Sequence, residues 1–174
     1  MRVDIKYAHE SNRTMTIYTI GYEGIDIDDF LYLLQKNNIE TVVDIRELPL
    51  SRKLGFSKNI LSNHLNLCGF KYIHMPQLGC PKPIRNQYRL DNNWKLYKQG
   101  FTKYLETKDD VLSELTELAN TSNCALLCFE ADFNLCHRSL VANEINKKHG
   151  LSVNHVKVIK SKIMNSVDSI LAFV

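Results

Sequence analysis

The tripeptide Cys136-His137-Arg138 puts a thiol, an imidazole and a guanidinium on successive positions just before an amphipathic run. At a helix start the ring, the guanidinium and the free backbone N–H groups all favour thiolate. Cys136 therefore reads as a candidate nucleophile with a lowered pKa. The same N–H groups with Arg138 would equally hold a phosphate or another anion. A longer anion-cradling loop usually separates such a cysteine from its arginine, and here Arg138 follows by only two residues. Anion anchoring and an ordinary helix start therefore stand beside nucleophilic catalysis.

Two acids offer a second kind of chemistry. Asp44 closes the apolar run TVVDI and Glu130 follows the apolar run CALLCF. Carboxyls at the ends of buried strands can act as a general acid/base pair, because desolvation pushes their pKa values apart. With a divalent metal, such a pair would suit phosphodiester or glycosidic chemistry. The structural alternative is an internal ion-pair network with Arg46, Arg52 or Arg138. Cys128, Cys136 and His137, joined by His74 or Cys80, could make a tetrahedral metal set. No CxxC or HxxxH pair supplies the usual local chelate, so no metal ligand is assigned.

These residues need elements to hold them. Thr16–Ile20, Thr41–Ile45, Phe70–Met75, Cys124–Phe129 and Val153–Ile159 read as strands. Helical spacing runs from Asp26 to Asn37 with Asp26 able to cap, and from Lys58 to Leu67 between Ser57 and Gly69. It recurs over Trp94–Leu105, Asp109–Thr121 and Arg138–Lys148, the last ended by Gly150. Gly79–Pro83 reads as a proline-punctuated loop, and the tail from Lys162 to Val174 fits helix or strand. Strands alternating with helices predict a three-layer, Rossmann-like α/β domain whose mainly parallel sheet has about five strands. Residues 15–174 are expected to form that single domain, with residues 1–14 as a flexible N-terminal segment.

In such sheets ligands bind outside the carboxyl ends of the strands. Gly21 and Tyr22 follow the first strand, Asp44 and Arg46 close the second, and His74 closes the third. Glu130 follows the fourth, and Cys136, His137 and Arg138 open the next helix. Random placement would scatter them over both edges. The expected site thus has Glu130, Asp44 and Cys136 as catalytic groups. Gly21, Tyr22, Arg46, Arg52, His74, His137 and Arg138 are its substrate-binding groups.

Composition narrows the ligand. Net charge is +3, yet eleven Lys or Arg and only two acids fall between Arg46 and Lys103. Phe56, Phe70, Tyr72, Tyr88, Trp94, Tyr97, Phe101 and Tyr104 are interleaved with this charge. Such a surface suits a polyanion, with nucleic acid or a nucleotide the obvious partner, unless the rings point into the core. No run approaches the ~20 apolar residues of a membrane span. The N-terminal residues lack a signal sequence, and the five cysteines read as reduced thiols. A cytoplasmic protein is expected.

Four ordered stretches carry a family resemblance: T-I-G-Y-E-G (Thr19 to Gly24), D-I-R-E-L-P-L-S-R (Asp44 to Arg52), Y-I-H-M-P-Q-L-G (Tyr72 to Gly79), and L-L-C-F-E with C-H-R (Leu126 to Glu130, Cys136 to Arg138). Together they resemble the DUF488 proteins of bacteria and archaea. The resemblance implies a Rossmann-like fold and supports the site without naming a reaction. An enzyme acting on a phosphate-bearing or glycosidic substrate, a non-catalytic nucleic-acid-binding module and a protein-interaction domain all remain open.

Overall fold

A computed structural model describes residues 15–158. The N-terminal segment and the tail read from the sequence lie outside that range.

Five strands form one parallel sheet: β1 (Thr16–Gly21), β2 (Thr41–Asp44), β3 (Lys71–His74), β4 (Cys124–Cys128) and β5 (Ser152–His155), in the order β3-β2-β4-β1-β5. Every pairing is parallel. The helices are α1 (Ile27–Lys36), α2 (Lys58–Leu67), α3 (Lys82–Asp91), α4 (Trp94–Leu105), α5 (Asp109–Thr121) and α6 (His137–His149).

The period-2 alternation of the strands divides the core in two. Ile20, Val42, Ala125 and Leu127 pack with Phe30, Leu33 and Leu34 of α1 and Leu61 and Leu65 of α2. Ile17, Val43 and Leu126 face the other way, against α4, α5 and α6 through Phe101, Leu112, Leu115, Val141 and Ile145. Three layers result. β4 is buried at every position, as a strand covered on both faces must be.

Local chemistry sets the helix ends. Asp26 caps α1 by accepting from the Asp29 amide at 2.9 Å. Gly150 ends α6 in the left-handed region, at φ 73°. The expectation of a loop at Gly79–Pro83 needs correction, because α3 begins inside it. Pro81 is the residue before the helix and Pro83 lies in its first turn, where the missing amide hydrogen breaks no helical bond.

β2 passes its chain to β3 on one side, while β4 passes its chain over β1 to β5 on the other. The two neighbours diverge, and that divergence opens the crevice in which ligands bind in sheets of this kind. Register aligns the strand ends: Asp44 lies opposite both Leu127 and His74, and Gly21 opposite Cys128. Among the described residues no helix is long and apolar enough to cross a membrane.

Candidate functional site

Above the divergence of β2 and β4 lies a cleft of about 570 Å³. Arg46 to Lys53 of the β2–α2 loop form one wall, Arg85, Tyr88, Arg89, Trp94 and Tyr97 of α3 and α4 another, and Cys128, Glu130 and His137 the floor. The volume lies in the usual range for small-molecule sites.

The polar residues read from the sequence separate into groups with different duties. The first is a closed network at the end of β2. Asp44 is fully buried. Its Oδ1 accepts from Arg46 Nε at 2.8 Å and from the Arg46 amide at 3.1 Å. Its Oδ2 accepts from Arg46 Nη2 at 2.5 Å and from the Tyr72 hydroxyl at 2.6 Å. Arg46 Nη1 donates to the Tyr22 hydroxyl at 2.8 Å and to the Phe56 carbonyl at 2.9 Å. Tyr22 in turn stacks on Phe56, with centroids 4.2 Å apart. Burial works to lower the Arg46 pKa, but the bonds to Asp44 raise it on balance. Asp44 and Arg46 thus spend their bonding capacity largely on each other and on the loop. This is the ion-pair alternative to an acid/base role for Asp44.

His74 supports the same loop. Its Nε2 lies 2.9 Å from the Arg46 carbonyl and its Nδ1 lies 3.0 Å from Lys58 Nζ. A carbonyl only accepts and an ammonium only donates, which fixes the proton on Nε2. Arg138 is also internal. It is 1% exposed, and it donates from Nη1 to the Glu130 carbonyl at 2.5 Å and from Nη2 to the Ala131 carbonyl at 3.0 Å. It braces the turn after β4 and is absent from the cleft lining. Gly21 makes room for that turn.

The remaining group is the floor. Glu130 Oε2 accepts from Cys128 Sγ at 2.8 Å and from Cys136 Sγ at 3.1 Å. His137 Nδ1 is 3.4 Å from Cys128 Sγ and 4.0 Å from Cys136 Sγ. One ligand atom from each of Cys128, Glu130, Cys136 and His137 lies within 4.8 Å of the others, so these four residues are spaced to hold a metal ion. His74 and Cys80 are not in the group. Burial works to raise the Glu130 pKa, but the two thiols and nearby His137 bring it below the ordinary carboxylate range. Burial also opposes charge on His137, yet Cys136, Glu130 and the Ile45 carbonyl raise its pKa.

The lowered pKa expected for Cys136 is overturned. Burial and the neighbouring Cys128 push its thiol well above the ordinary value, and His137 offsets only part of this. The helix start that was to activate it instead uses its sulfur as a cap, accepting from the Arg138 amide at 3.5 Å.

Of the cationic lining, Arg52 was among the expected site residues, whereas Lys53 and Arg89 were not. Arg52 stands exposed at the rim, joined by Lys53 and Arg89. Among the described residues none of the three pairs with a carboxylate, whereas Arg85 is held by Glu47 at 2.5 Å. Of the interleaved aromatics, Phe56, Tyr97 and Phe101 are buried, while half-buried Tyr88 and Trp94 face the cleft. Charge density in the sequence pointed to this segment. The individual positions required α3, which proline concealed. Cys128, Cys136 and His137, weighed together as donors in the sequence, do meet here, but the fourth member is Glu130 in place of His74 or Cys80.

Fold and cleft together define an α/β protein with a crevice at the switch point of a parallel sheet. The family model for the domain of unknown function DUF488 matches residues 26–145, more than half of the chain. The chain belongs to the DUF488 family. No curated protein and no solved structure matches it.

Proposed function

We propose that the cleft binds a nucleotide unit, free or within a single strand of nucleic acid, and that Glu130 moves a proton on it. One observation carries this reading: carboxylate-free Arg52, Lys53 and Arg89 surround a crevice with Tyr88 and Trp94 on one wall and Glu130 on its floor. Cations at the rim suit phosphate oxygens, and aromatic faces suit a base. Arg46 and Arg138 orient the walls instead of gripping the ligand: the Arg46 N–H groups are largely committed within the protein, and buried Arg138 braces carbonyls of the turn outside the cleft lining.

The test is a salt titration of nucleotide and single-stranded oligonucleotide binding, with wild type and with Arg52→Ala/Arg89→Ala. Affinity for the oligonucleotide should fall with salt. Each cation removed should flatten the log–log slope by about 0.7. Equal slopes in both proteins, or no binding by wild type, would sink the proposal. Glu130→Gln separates an enzyme from a binding module: binding that persists while turnover disappears assigns Glu130 to chemistry. Strong binding with no turnover by wild type on any nucleotide or oligonucleotide favours the module.

A further inference from the structure

We propose that Cys128, Glu130, Cys136 and His137 form a zinc site. The inference does not depend on what the cleft binds: it uses Glu130 Oε2, the oxygen already turned to the thiols, and leaves Oε1 for any proton transfer in the cleft. Two sulfurs, an imidazole nitrogen and a carboxylate oxygen are donor types that zinc accepts, and four donors complete its tetrahedron. Here they converge from three successive pieces of chain: the last residue of β4, the turn beyond it, and the start of α6. Cys128, Cys136 and His137 are buried at 3%, 1% and 8% exposure. A carboxylate turned toward such surroundings is costly unless something charged faces it.

The hydrogen bonding resembles a site whose centre protons have filled. One oxygen, Glu130 Oε2, accepts from both thiols. Two S–H groups therefore point at one atom, where a divalent cation would draw both sulfurs and the oxygen to itself. Binding then exchanges the two thiol protons for one Zn²⁺. Both protons go to solvent, the Zn–S, Zn–N and Zn–O bonds form, and no electron is transferred.

The histidine is set for this. Its Nε2 lies 3.2 Å from the Ile45 carbonyl, so in the neutral ring Nε2 carries the hydrogen and Nδ1 presents its lone pair to the sulfurs. A ligating imidazole typically has its other nitrogen anchored in this way. Distances agree with a small adjustment. Bonds of about 2.3 Å to sulfur and about 2.0 Å to nitrogen or oxygen imply tetrahedral edges of about 3.5 Å between unlike donors. The sulfur–nitrogen distances of 3.4 and 4.0 Å bracket that edge. The sulfur–oxygen distances of 2.8 and 3.1 Å are shorter, so the half-buried Glu130 side chain has to withdraw slightly. Two thiolates with an imidazole select zinc over magnesium or calcium.

The experiment measures metal in the full-length protein purified under reducing conditions, then titrates the stripped protein with Zn²⁺ and Co²⁺. Expected are about one zinc per chain and at least about two protons released per zinc at neutral pH, two from the thiols and any excess from the protonated fraction of His137. Cobalt should give thiolate charge-transfer and tetrahedral ligand-field absorption. Cys128→Ser and Cys136→Ser should lose stoichiometric metal, whereas Cys68→Ser, at an exposed cysteine remote from the cluster, should keep it. Glu130→Gln should retain the cobalt spectrum at an affinity lower by about tenfold or more. No uptake by stripped wild type, or uptake unchanged in both serine variants, would overturn the site. So would an unaltered affinity in Glu130→Gln. If the serine variants fail to fold, proton release by wild type decides: about two protons or more support thiolate ligation, and none overturns it.

Discussion

A β-carbon placed on Gly21 would lie 1.9 Å from the backbone oxygen of Glu130. The end of β1 and the turn after β4 therefore meet backbone to backbone, and only glycine permits the approach. The same Glu130 oxygen accepts from Arg138 Nη1, so the turn is bonded to α6 at the atom where it also packs against β1. Gly21→Ala must push the turn away from β1 and move Glu130 with it. The expected cost is about 1–3 kcal/mol, read as a lower denaturant midpoint at unchanged slope. A midpoint equal to that of wild type would mean that the turn has slack and that this contact does not fix Glu130.

The Asp44–Arg46 pair leads to a second prediction. Both groups are buried and are joined by two side-chain bonds, to Nε and to Nη2. Removing one partner leaves the other charged without compensation. Asp44→Ala should destabilise the fold by about 3–5 kcal/mol. Arg46→Lys should not restore it, because an ammonium cannot span both carboxylate oxygens and also reach Tyr22 and Phe56. Chemical denaturation of the two variants checks this. A lysine variant as stable as wild type would refute the fork geometry as the source of stability.

The strands and most helices were legible because their signals are local. Apolar runs such as CALLCF and the spacing of Phe30, Leu33 and Leu34 report burial directly. Strand ends located the edge of the site for the same reason. What the residue types alone could not reveal was direction. Arg138 and Arg52 have the same guanidinium, but one turns back to brace carbonyls and the other stands in solvent at the rim. Cys136 shows the same limit. Its sequence neighbours suggest activation, while its three-dimensional surroundings desolvate it. The four floor donors lack local chelate spacing because the turn after β4, rather than a short motif, folds them together.

His155 supplies a pH-dependent test. Its Nδ1 is 2.8 Å from Thr19 Oγ1, and its ring stacks on Phe133 with centroids 3.9 Å apart. Burial, and then Arg138, lower its pKa from the model-peptide value of 6.5. Between the lowered folded value and 6.5 the unfolded chain binds more protons, so stability falls as pH drops through that window. His137 has a raised pKa and acts in the opposite sense, with its contribution fading as pH rises. The difference between wild type and His155→Gln isolates the first effect. Thermal midpoints from about pH 7.5 to about pH 5 should fall more steeply in wild type. Parallel curves would count against a neutral, desolvated His155.

The thiols give the last test, which bears on whether Cys136 is a nucleophile. Only Cys68 is exposed, while Cys80, Cys124, Cys128 and Cys136 are buried. Burial pushes Cys80 up to about 11 and Cys124 up to about 12, and raises Cys128 and Cys136 as well. Thiolate is the reactive form, so burial and a raised pKa both slow alkylation. Reduced, metal-stripped native protein treated with iodoacetamide at neutral pH should be modified first at Cys68, with Cys136 among the slow sites. Peptide mass spectrometry over time provides the order. Cys136 reacting ahead of Cys68 would restore the activated-thiolate reading, because neither its burial nor its bond to Glu130 allows that rate.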